Sequence, residues 1–179
     1  ALPVPAAGAE IGFMTFIAST ITSVSPAFTV EPTRMNGAEP GSARANAIAG
    51  GSADAFVAGC GGERPYNGLC THEADPARLA ELLLDGDGPA VVFGSFTGAS
   101  MPDGERALPR EAPRYLIELM PASPDGQLYR ITARGAGSMS GTHAALQAYY
   151  LKPSDGGPGR RVGWRELGNW GEVIAAAHH

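Results

Sequence analysis

The strongest pattern of apolar and polar positions lies between residues 113 and 152, in the runs PRYLIELM, QLYRITARG and THAALQAYYLK. With PAVVFGSF at 89–96 they predict four strands. The connections at 98–112, 121–126 and 152–159 are crowded with Pro, Gly, Asp and Ser, so an antiparallel meander is the economical way to join them. In QLYRITARG, the third of the four strands, Tyr129, Ile131 and Ala133 alternate with Arg130, Thr132 and Arg134. That alternation predicts a sheet with one packed face and one charged face turned to solvent. Tyr149 and Tyr150 are adjacent on a strand and must point to opposite faces, one packed and the other at an edge. Further on, RRVGWRELGNW predicts a short edge strand that places Trp164 and Trp170 over one end of the core.

Upstream the period turns helical. Asp75 is placed to cap, and Pro76 to open, a helix through ARLAELLL that stops before Gly86. A weaker helix is predicted in ARANAIAGGSADAFVAG, where Ala47, Ile48, Phe56 and Val57 roughly share a face but Gly50 and Gly51 cost about 1 kcal/mol each. EPTRMNGAEPGS at 31–42 reads as a loop. The twenty residues from Ile11 to Val30 carry no charge, the length a membrane helix needs. Hydroxyl residues dilute them and Pro26 interrupts them, which predicts a buried strand pair or a short core helix instead. No basic region precedes this stretch, so it does not read as a secretory signal, and His178 and His179 read as the remnant of a purification tag. A single globular domain over residues 1–177 is expected, as suits 179 residues.

Composition narrows the class. An apolar fraction of 44% supplies a core, while 25 Gly and 15 Pro argue against a helix bundle. The net charge is −5 and the 13 basic residues are dispersed, so no nucleic-acid partner is expected.

Cys60 and Cys70 are the only cysteines and enclose a turn-rich loop, which is most simply a disulfide hairpin outside the cytoplasm. A zinc site would have to recruit His72, but there is no closely spaced cysteine pair and no fourth ligand. No C-x-x-C pair supports redox catalysis. GSMSG at 137–141 lacks the glycine spacing of a nucleophile elbow and reads as a hairpin. THEAD at 71–75 lacks a second histidine, DGDG at 85–88 lacks the remaining ligands of a calcium loop, and GSFTGAS at 94–100 lacks a phosphate-binding lysine. No catalytic, cofactor-binding or metal-binding residue is assigned, and the Cys60–Cys70 disulfide is the one candidate site.

Three segments carry a family likeness: Pro113-Arg114-Tyr115-Leu116-Ile117-Glu118, the run from Tyr129 to Gly137 that reads YRITARGAG, and Ala144-Ala145-Leu146-Gln147-Ala148-Tyr149-Tyr150. They resemble the PilX family of minor pilins of type IV pili. Gly68-Leu69-Cys70, Val91-Val92-Phe93-Gly94 and Thr97-Gly98 follow the same order more weakly, so the likeness covers roughly residues 68–150. The resemblance implies an α+β, pilin-like fold with an N-terminal helical segment packed on a four-stranded antiparallel sheet. It implies a non-catalytic role without cofactors, in pilus assembly or tip priming and in adhesion. The implied partners are other minor pilins, the major pilin and a surface ligand. The implied location is the periplasm and pilus, with membrane contact only through an N-terminal helix absent from this chain. This sequence departs from the family in Ala144-Ala145, where valines are usual, and in residues 152–175, which run past the usual end. The loops at 98–112 and 152–162 are expected to face other pilins or a ligand. Two alternatives stay open. One is a small secreted hydrolase or ligand-binding domain built on His72, His143 and carboxylates, which would need those groups to converge in one cleft. The other is a pseudopilin of a secretion system.

Overall fold

The pleat of the three alternating runs builds the centre of one sheet. Among the residues that the computed structural model describes, 40–96, 111–137 and 143–177, that sheet has six strands. β3 (Arg114–Leu119), β4 (Gly126–Ala136) and β5 (His143–Pro153) form an antiparallel meander as expected, and β6 (Arg160–Glu166) continues it as the expected edge strand. β1 (Leu69–Thr71) and β2 (Val91–Val92) share the outer side of β3, β1 running parallel to Ile117–Leu119 and β2 antiparallel to Arg114 and Tyr115. The sheet is therefore mixed and six-stranded, a correction to four antiparallel strands. A parallel pair needs a crossover, and α2 (Pro76–Leu84) lies in the connection between β1 and β3. PAVVFGSF contributes only the two residues of β2 because Gly94, at φ 85°, turns the chain away.

α1 spans Pro40–Gly50, beginning inside the segment expected to be a loop and stopping short of the expected helical face. Gly51 adopts φ 60° and donates its N–H to Ile48, while Ser52 donates to Ala47. That pair of bonds is a Schellman stop, which glycine favours because it has no Cβ to clash in the left-handed region. Phe56 then reaches the core from a short irregular segment with one-turn helices at Ala53–Ala55 and Ala58–Cys60. α2 forms as expected, its first turn capped by the Asp75 side chain accepting from the Ala77 N–H at 2.9 Å.

Both faces of the sheet are covered. On the first face Ile117, Tyr129, Ile131, Ala148 and Tyr150 pack with Ala47 and Ile48 of α1 and with Phe56. On the second, Leu116 and Ala145 pack with Leu79, Leu82 and Leu83 of α2 and with Trp170 of α3 (Trp170–Ala177). The charged face expected to meet water is thus buried: Glu118, Thr132, Arg134 and Gln147 are all inside. Tyr150 is packed and Tyr149 is half-buried, as adjacent positions require. Of the two tryptophans only Trp170 covers the core; Trp164 stands 46% exposed because β6 is the outermost strand and has no buried position. The expectations for residues 11–30, for GSMSG beyond Gly137, for most of the loop at 98–112 and for the terminal histidines lie outside the described residues.

One bond fixes α1 to the sheet: the Tyr129 hydroxyl donates to the Ile48 carbonyl at 2.7 Å. Burial pushes the Tyr129 hydroxyl up to about 12 from its ordinary 10. The unfolded chain therefore loses this proton first, so the contribution is complete below pH 10 and is lost as pH rises from 10 towards about 12. Tyr129→Phe is expected to cost about 1 kcal/mol at neutral pH and to flatten the alkaline loss of stability, measured by urea unfolding across that range. A variant that loses stability as steeply as the parent would show that another group titrates there.

Candidate functional site

The second face carries a row of polar side chains that run across the strands. Glu118 of β3 stands opposite Arg130 of β4, and its carboxylate is fully buried. Arg130 Nε donates to Oε2 and Nη2 donates to Oε1, both at 2.6 Å. Oε1 also accepts the Glu73 backbone N–H at 3.0 Å and lies 3.5 Å from His72 Nδ1. Arg130 Nη2 reaches the Glu73 carbonyl at 2.7 Å, which ties the lead-in of α2 to the sheet. Burial acts to lower the Arg130 pKa, but hydrogen bonding and charge from Glu118 prevail and raise it. Alongside, Gln147 Nε2 donates to Thr132 Oγ1 at 3.2 Å, and Arg165 of β6 grips Gln147 Oε1 through Nη2 at 2.9 Å and Nε at 3.2 Å.

This row floors a cavity of about 280 Å³ between the start of α2 and α3, walled by Pro76, Leu79, Glu166 and Trp170. The indole N–H of Trp170 is buried with no hydrogen-bond partner among the described residues. The arrangement can hold a polar group by hydrogen bonds and charge. It contains no nucleophile held by a base.

At the other end of the same face, Arg134 lies 3.4 Å from both the Glu111 carboxylate and His143 Nδ1. Burial first, and then the Arg134 charge, lower the His143 pKa, with Glu111 acting the other way. His72 sits by Glu118, whose strand partner Arg130 stands opposite Tyr149, six residues along β5 from His143. At about 3.3 Å per residue that offset along the strand is about 20 Å. The convergence that a site on His72 and His143 would need is not formed.

Cys60 and Cys70 are joined in a disulfide with S–S 2.05 Å, buried in the second-face core. Both sulfurs are engaged in that bond rather than held as thiolates. Among the described residues no group of three or more His, Cys, Asp or Glu could hold a metal ion.

Sequence reasoning missed Arg44. From the buried face of α1 its Nη1 donates to the carbonyls of Pro65 at 3.0 Å and Asn67 at 2.7 Å, and its guanidinium lies 4.6 Å from the centre of the Phe96 ring. Burial lowers its pKa, opposed by Tyr115. The signal was present: Arg44, Ala47 and Ile48 stand at i, i+3 and i+4, one face of a helix. Arg44 thereby fastens the disulfide loop to α1.

Residues 66–152 match a family model described as Type IV pilus assembly protein PilX C-term. The matched segment opens just before β1 and closes with β5, so that β6 and α3 lie beyond it. No curated protein and no solved structure matches the chain.

Proposed function

We propose, from the match of residues 66–152 to the PilX family model, that the chain is a PilX-like type IV pilus assembly protein and serves as a minor pilin without catalytic activity. In this reading it takes part in tip priming, contacts other minor pilins and the major pilin, and contributes to adhesion. Residues 1–177 act as a single pilin-like head, with α1 as the helix laid on the sheet. The carrying observation is that the family match falls on the sheet itself, from β1 to β5.

Two further features support it. A disulfide is stable in the oxidising compartments outside the cytoplasm, where pilus components are placed. The polar row on the second face is spent on holding strands together rather than on aligning a nucleophile with a base. Among the described residues no helix is long and apolar enough to cross a membrane.

The test is deletion of the gene in the organism that encodes it, with surface pili counted by electron microscopy. Loss of most pili, restored by the wild-type gene, is the expected result. Normal pili with failed surface attachment would leave adhesion alone. Normal pili with failed protein secretion would overturn the pilus assignment in favour of a secretion pseudopilin.

A further inference from the structure

Among the described residues β6 has one free side. It pairs with β5 and ends the strand order, so among the described residues its outer N–H and C=O groups meet no other strand. The two exposed large apolar side chains of the described residues, Val162 at 51% and Trp164 at 46%, both stand on it. Around them are Arg160, Arg161, Arg165 and Glu166, a net charge of +2 (three Arg less one Glu) within seven residues of a chain whose total is −5. Arg165 is held by Gln147, whereas Arg160 and Arg161 are exposed and make no ion pair among the described residues. The strand lies outside the family match.

An open edge binds extended chain by completing its ladder, and its side chains then select the partner. We propose that β6 takes up an extended, acidic segment of another protein as a seventh strand. Main-chain bonds would join the segment to β6, Val162 and Trp164 would be covered, and the arginines would face carboxylates. A second copy of this chain fits less well. Antiparallel self-pairing centred on Gly163 sets Arg161 against Arg165 twice and Arg160 against Glu166 twice, so its cross-strand charges offset one another while two strands of net charge +2 are brought together. The inference stands on the edge and its charge, independently of the role proposed above.

The probe is a synthetic nine-residue peptide alternating valine and glutamate, compared with the same peptide carrying lysine for glutamate, each titrated into the full chain. Trp164 is the exposed one of the two tryptophans, so its emission reports docking, and hydrogen exchange reports protection of the 160–166 amides. The expected result is a blue shift and amide protection with the acidic peptide, and binding of the lysine peptide at least about tenfold weaker. Arg160→Glu with Arg161→Glu, both exposed, should invert that preference while leaving the melting temperature unchanged. Equal binding of both peptides overturns the proposal. So does binding of neither at millimolar concentration, which would mean that the arginines only guard the edge against aggregation, and so does a dimer that buries β6.

Discussion

Arg130→Leu is expected to destabilise the protein by about 3–5 kcal/mol, because it strands a carboxylate that has no route to water. The Glu118 side chain is 0% exposed, and its remaining contacts would be one backbone N–H and a histidine at 3.5 Å. Glu118→Leu should cost less, about 2–3 kcal/mol, since the Arg130 side chain is 13% exposed and keeps the Glu73 carbonyl. Replacing both by leucine should cost less than Arg130→Leu alone, because the pair's own desolvation then disappears with it. Urea unfolding of the three variants measures the cycle. A cost below about 1 kcal/mol for Arg130→Leu would mean that the face opens to water around the carboxylate. A double variant as damaged as the worse single one would mean that the bidentate pair is a net source of stability.

That buried pair is also where the sequence misleads. Alternation in YRITARG reports that two faces differ, and a polar face is ordinarily a wet one. Here the polar residues satisfy one another across the strands, Glu118 with Arg130 and Thr132 with Gln147, and two helices close over them. The clue lay in another segment. ARLAELLL carries an apolar stripe through Leu79, Leu82 and Leu83, and with α1 on the first face this stripe had only the second face on which to be buried.

β3, β4 and β5 were legible because their runs are long and bounded by turn residues. β1 was not: three residues beside a Gly-rich loop have no period of their own, and β1 exists because β3 offers it an edge. Trp164 was misplaced because an aromatic residue on a strand reads as core, whereas strand position in the sheet decides its burial. The disulfide was legible because two cysteines leave a single pairing, whereas Arg44 was not because an arginine on a helix ordinarily faces water and here is buried against the carbonyls of Pro65 and Asn67.

Loss of the Cys60–Cys70 disulfide should be the second large effect. Closing a loop with sequence separation 10 restricts the unfolded chain by about 2–3 kcal/mol in the chain-entropy account. For a chain of this size that is a fall in melting temperature of about 5–10 °C on reduction. The substitution that removes it should matter as well. Cys60 holds φ 62°, a conformation that costs a residue with a Cβ about 1–2 kcal/mol. Cys60→Ala with Cys70→Ala would keep that cost after the covalent tie that maintains it is gone. Cys60→Gly with Cys70→Ala should recover about 1 kcal/mol of the loss, measured by thermal and urea unfolding. The damage should also be local in kind. Cys70 stands opposite Glu118, and the Glu73 N–H binds the Glu118 carboxylate three residues later, so loosening β1 exposes the buried charge pair from its outer side. Hydrogen exchange at residues 69–73 should therefore rise in the disulfide variants before exchange in β4 and β5 does. Simultaneous exchange across all strands would show instead that the bond acts on global unfolding alone.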